Sequence, residues 1–375
     1  MRIKWNVDEI QKRMQDLQNI AISSESSILR NKALGSMTVY QELLDSSYNR
    51  AVTESVDDIT LEEALDFLPD ILDERYDEVD LCKPLIKLGK SVALTTKIPK
   101  QKTLSVSDDT IVDIGLEFFR EFDMFYFEEV QKLLKDSHLQ FSYGKHSSKN
   151  CPGVSYSFSK NSSQDCRGIT YSLEFPEKTL YSKCYRENVL GDVIPFVHEM
   201  FHAVRLKQGN GKCANDWFQE AEGFLADYLC IDYLAKLDID PTISFEYYNS
   251  VLTALDMANR LEQFLRTDNL AEENPCLAQE ALLKVLTSSD GTIQPFIQSF
   301  DASLMECLSF MGANDWYNLY QQDPEKMHFY FDRSVRSEEE DLFSYIEEAG
   351  FSFPQDSLKN TKQLLKTKLF PLNRK

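Results

Sequence analysis

Two imidazoles four residues apart, His198 and His202, with the carboxylate of Glu199 between them, carry the clearest chemical message in this chain. On a helix, such positions project from one face, one turn apart, so both rings can reach a single metal ion. Glu199 follows the first histidine directly and can turn to the open side of that ion. There it would accept a proton from a water whose pKa the ion has lowered to ~7. The chain holds five histidines in all, His138, His146, His198, His202 and His328, so their pairing in H-E-x-x-H is specific. The apolar lead-in Val189 to Val197 and the continuation Ala203-Val204 place the motif on a buried helix rather than in a loop. This is the pattern of zinc-dependent peptide hydrolysis.

A catalytic zinc takes three protein ligands and keeps a fourth position open. The acidic stretch Gln219-Glu220-Ala221-Glu222-Gly223-Phe224 offers two carboxylates for the third. On a helix Glu220 and Glu222 point roughly 200° apart, so both cannot ligate one ion. Glu222 is the preferred ligand, because Gly223 beside it lets the second helix approach the first closely. Glu220 is the competitor. Asp227, about one turn onward, is a candidate to orient a ligand histidine.

Trp217 with Glu222-Gly223-Phe224 resembles the second zinc helix of the gluzincin clan of metallopeptidases, which takes its third ligand at about this separation from the second histidine. A finer resemblance is to the oligopeptidase F and thimet oligopeptidase family. Asp192-Val193-Ile194-Pro195-Phe196-Val197-His198-Glu199-Met200-Phe201-His202-Ala203 is similar to that family's zinc helix and lead-in, and Ala221-Glu222 to its third-ligand pair. Asp341 to Phe351 is similar to its closing helix, which ends in Ala-Gly. The family has glycine before the second histidine, where this chain has Phe201, and its members are longer.

The resemblance implies a Zn2+ cofactor on His198, His202 and Glu222, with Glu199 as general base, and peptide substrates, chiefly oligopeptides. It also implies a tyrosine pair that hydrogen-bonds the oxyanion of the tetrahedral intermediate. Tyr247 and Tyr248 are the nearest match, although they follow Glu222 closely; His328 and Tyr330 are the other candidates. Such a donor is worth ~2.7–4 kcal/mol. Two alternatives stay open: a peptide-binding protein without turnover, and an aminopeptidase of the same clan with Glu220 as the anchor for the free amine.

Composition narrows the partners. Acidic residues outnumber basic ones 61 to 40, a net charge of −21. That argues against nucleic acid, which calls for clustered Lys and Arg. Eight cysteines lie scattered without a C-x-x-C pair, which argues against a thiolate metal site or a disulfide framework. No run approaches the ~20 apolar residues of a membrane span, and the N-terminus lacks an apolar signal core, so the expected setting is cytoplasmic. Oligomeric state is not encoded legibly.

The expected fold is mostly α with a small antiparallel β-sheet next to the active-site helix, a zincin-like arrangement. Residues 1–104 read as a helical region and 105–375 as the catalytic domain. Asp8 to Leu34 and Met37 to Ala51 carry helical periodicity, and Thr60-Leu61-Glu62-Glu63 starts a third helix that Pro69 is expected to break. Lys83 to Gly89 ends another element, and Thr95 to Ser107 reads as a linker. Asp108 to Asp136 reads as one long helix whose aromatic stripe faces the core. Residues 139–186 are strand-rich, in Gln140–Gly144, Gly153–Phe158 and Gly168–Phe175. Zinc helices are expected over 189–206 and 215–236. The sheet would bind substrate backbone as an added strand, with Gly153 allowing close approach. His146 reads as a loop residue.

Overall fold

A computed structural model describes residues 6–24, 26–44, 60–91, 104–143, 168–173, 179–186, 188–208, 216–218, 220–238, 243–287, 293, 295–337, 341–353 and 359. In chain order its helices and strands are α1 Val7–Ser23, α2 Ser27–Leu44, α3 Leu61–Glu74, α4 Tyr76–Ser91, α5 Asp108–Phe122 and α6 Met124–Lys135. Then come β1 Leu139–Tyr143, β2 Gly168–Leu173, β3 Thr179–Arg186, α7 Val193–Gln208, α8 Ala221–Leu237 and α9 Ser244–Glu273. Last are α10 Pro275–Leu286, α11 Phe296–Gln322, α12 Pro324–Arg336 and α13 Leu342–Glu348. The protein is mostly α, as its periodicity predicts.

Local chemistry sets most helix starts. Asn6, Ser107, Asn274, Asp323 and Asp341 each accept a backbone N–H of the first turn with their side chains. Thr60 and Glu63 form the capping box that their spacing predicts. Pro69, however, does not break α3. The ring costs the helix one N–H donor, while Leu68 and Leu72 on either side stay buried and hold the turn. The expected helix from Asp108 to Asp136 is two, because Asp123 adopts extended backbone (φ −163°) and accepts from the Phe125 N–H, starting α6. Likewise the Asp8–Leu34 periodicity spans two helices. Ser24 leaves helical backbone (ψ 127°), and its hydroxyl accepts the Ser26 N–H instead.

The chain divides into two compact units, each built from separate stretches. One comprises Met1–Ala51, Thr103–Val154 and Cys166–Cys213. Its sheet has the order β1-β3-β2. The antiparallel expectation holds for β2 and β3, where Thr170 faces Ser182. It fails for β1, which runs parallel to β3 with Leu139 opposite Ser182. A short link between β2 and β3 permits a hairpin. β1 pairs with the strand after its chain neighbour, across the long connection that parallel pairing requires. The Gly153–Phe158 segment and His146 lie outside the described residues.

Helix α7 packs on this sheet and on α5. Gly115 of α5 makes the second contact possible, since a Cβ there would run into the Phe196 ring. The aromatic stripe is core, as expected. Phe118, Phe119, Phe122 and Tyr126 surround Phe201 of α7 with ring centroids 4.8–6.5 Å away. Arg186 ends β3 as a buried clasp: it pairs with Asp108 at the start of α5 and with Asp192 (3.2 Å), and donates to the Val106 carbonyl (3.0 Å). Asp192 also accepts the Val189 N–H and so fixes the turn from which α7 begins.

The other unit comprises Val52–Lys102, Ser155–Asp165 and Ala214–Lys375. Here α11 packs against α8, α9, α4 and α12, with Trp316 fully buried and its indole N–H donating to the Ala349 carbonyl at 2.8 Å. The Ala-Gly ending of α13 is present, with Gly350 at φ +69°.

Candidate metal centre

Helix α7 is buried on nearly every side. From Val193 to Arg205, the residues that are not buried are His198 and His202. Their rings meet with the two Nε2 atoms 3.0 Å apart. One ring nitrogen of each therefore converges on a shared point, as the four-residue spacing predicts.

Glu199, between them in sequence, is 5% exposed. Its Oε2 accepts a 2.6 Å hydrogen bond from the Thr170 hydroxyl on β2, and Thr170 lies 2.9 Å from Ser182 Oγ on β3. Cys184 lies close by under α7, its thiol directed at the Pro195 carbonyl. Burial pushes that thiol well up, with Glu199 and Asp192 adding to the effect, so it stays protonated and neutral. Thiolate ligation is not available from it.

Glu220 caps the N-terminus of α8 and its carbonyl accepts the Phe224 N–H. Glu222 follows inside the first turn and is 1% exposed. His198 and His202 belong to the first compact unit, and Glu220 and Glu222 to the second. Asp227 is half-buried one turn along α8.

Two imidazoles and a carboxylate form a zinc donor set. A tetrahedral ion with ligands at ~2.0–2.1 Å sets its donor atoms about 3.3 Å apart, close to the spacing of the two Nε2 atoms.

The four candidate oxyanion donors belong to the second unit. Tyr247 and Tyr248 fall in the first turns of α9. His328 is half-buried on α12 with its ring 6.3 Å from Tyr320. Tyr330, on the same helix, lies flat over the backbone of Gly350, where a Cβ would collide with its ring. Thr170 is the residue that sequence reading missed. Its hydroxyl is legible only once β2 is known to pass beside α7.

No family model matches the sequence, and no curated protein matches it. Solved structures do match in fold. A protein of Chlamydophila abortus provisionally named a peptidase is 12% identical, with a TM-score of 0.52 over 97% of this chain and 63% of its own. A protein of Bacillus anthracis provisionally named oligoendopeptidase F is 13% identical, with a TM-score of 0.52 over 96% of this chain and 69% of its own. PZ peptidase A, solved with an inhibitor, is 10% identical, with a TM-score of 0.53 over 96% and 71%. The chain spans less than two thirds of the first of these. Its fold is oligopeptidase-like.

No helix among the described residues is long and apolar enough to cross a membrane.

Proposed function

We propose that this protein hydrolyses peptide bonds, in oligopeptides, as a zinc-dependent peptidase. The observation that carries the reading is the imidazole pair of His198 and His202, with Nε2 atoms 3.0 Å apart and Glu199 adjoining. His198 and His202 would hold the ion together with a carboxylate of the second unit, Glu222 on the sequence pattern or its competitor Glu220. Bound zinc would supply Lewis acidity toward the peptide carbonyl and a water of lowered pKa.

Glu199 then takes the proton of the attacking water and returns it to the leaving amine. Its place on a buried helix favours this work, since a sheltered carboxylate keeps one orientation and acts in a low-dielectric setting. Strand β2, an edge of the described sheet beside Glu199, is the candidate along which a peptide would lie as an added strand. Tyr247, Tyr248, His328 and Tyr330 are the candidates to donate to the developing oxyanion. Support for peptide substrates comes from the fold shared with the peptidases above.

Zinc content and cleavage of a mixed peptide library test the reading, for wild type, Glu199→Gln, Glu220→Gln and Glu222→Gln. The expected result is zinc in wild type and Glu199→Gln, with cleavage in wild type alone. One of Glu220→Gln and Glu222→Gln loses the metal and the other keeps it. The variant that loses zinc identifies the third ligand. Absence of zinc from wild type would overturn the proposal.

A further inference from the structure

The Thr170 hydroxyl lies within hydrogen-bonding reach of three oxygens: Glu199 Oε2 at 2.6 Å, the Glu199 carbonyl at 3.1 Å and Ser182 Oγ at 2.9 Å. A threonine hydroxyl has one hydrogen to give. The shortest contact is of the length found when a hydroxyl donates to an ionised carboxylate, so the hydrogen belongs to Oε2. Ser182 is then left to donate to Thr170. The three groups form a directed chain, Ser182 to Thr170 to Glu199. It is sheltered, with Ser182 2% and Glu199 5% exposed. It is also held in register, because Thr170 and Ser182 are direct partners across the β2–β3 pair.

We propose that Thr170, backed by Ser182, is a positioning residue for the general base, and that it acts by fixing one carboxylate oxygen of Glu199. Oε1 is thereby the oxygen that takes the proton, and the carboxylate loses the rotational freedom it would otherwise have. The inference rests on Glu199 acting as the base. A valine at 170 would keep the shape of the side chain and remove the hydrogen bond; a serine would keep the hydrogen bond and remove a methyl group.

The test is steady-state cleavage of a peptide that wild type hydrolyses, with zinc content, for Thr170→Val, Thr170→Ser and Ser182→Ala. Thr170→Val should keep its zinc and a KM within about twofold while kcat falls ~10–100-fold, the size of a lost hydrogen bond to a charged group. Thr170→Ser should recover most of that loss, and Ser182→Ala should show a smaller fall in kcat. A merely structural role would not give recovery by serine. Wild-type kcat in zinc-loaded Thr170→Val overturns the inference, and so does a Thr170→Ser as slow as Thr170→Val. If Thr170→Val fails to bind zinc, Ser182→Ala decides: a fall in kcat at full zinc supports the relay and an unchanged kcat overturns it. Cleavage retained by Glu199→Gln would instead overturn the reading of the site itself.

Discussion

Truncation of Phe201 tests how firmly the ligand helix is held. The ring is 0% exposed and lies 4.8 Å from Tyr126, 5.1 Å from Phe122, 5.7 Å from Phe119 and 6.5 Å from Phe118. Phe201→Ala removes a side chain from a packed aromatic nest, at a cost of ~3–5 kcal/mol. Alanine is the better helix former and returns roughly 0.5 kcal/mol. The net loss is about 3–4 kcal/mol. Because the protein has two compact units, a single melting curve is a poor gauge, and native-state hydrogen exchange at the amides of Val197 to Val204 reads the loss directly. Their exchange should quicken by roughly 10²–10³, at ~1.4 kcal/mol per tenfold. Phe201→Leu, which keeps most of the volume, should cost ~1–1.5 kcal/mol. Acceleration below about fivefold in Phe201→Ala would refute the packing of α7 against α5 and α6 described above.

Two glycines give opposite outcomes to the same substitution. Gly115→Ala drives a methyl group into Phe196 and should cost ~1–3 kcal/mol, whereas Gly35→Ala meets no atom within 4 Å and should stabilise α2 by roughly 0.5–1 kcal/mol. Native-state hydrogen exchange at the α5 and α2 amides of the two variants checks both signs. His138 sets a pH dependence. Burial lowers its pKa from the ordinary 6.5, so the unfolded chain binds the proton more readily than the folded one. The folded state should therefore have this contribution in full above pH ~6.5 and lose it as pH falls towards the lowered folded value. Native-state protection of the β1 amides, corrected for intrinsic exchange rates, should decline less from pH 8 to pH 5 in His138→Gln than in wild type.

Helix α7 and its histidine pair were legible because their message is local. Four-residue spacing, an apolar lead-in and a neighbouring carboxylate all lie within one turn and a half, and helical geometry turns them into a site without further information. The choice between Glu220 and Glu222 was not of that kind. Gly223 speaks to how closely two helices approach, and nothing in six residues says which of two carboxylates converges on a pair of rings twenty positions earlier. The split between α5 and α6 was closer to hand. Asp123 followed by an apolar run is an N-cap signal, and the continuous aromatic periodicity on both sides overrode it. The parallel pairing of β1 with β3 left no trace in the strands themselves, since residue alternation states which side faces the core and not which neighbour lies alongside. Thr170 illustrates the same limit: as a β-former it marks a strand, and its chemistry depends on what that strand passes.

The nest around Phe201 also has a consequence in time. Phe118, Phe119, Phe122 and Tyr126 are synthesised well before the residue they enclose, which follows Tyr126 by 75 positions. At ~5–20 residues per second, roughly 4–15 s pass on the ribosome while those rings have no Phe201 to close over. During that interval the aromatic face of α5 and α6 is a sticky surface on a nascent chain, open to chaperones and to neighbouring chains alike. The packing that later holds the histidine helix in place is thus preceded by an interval in which half of it waits for its partner.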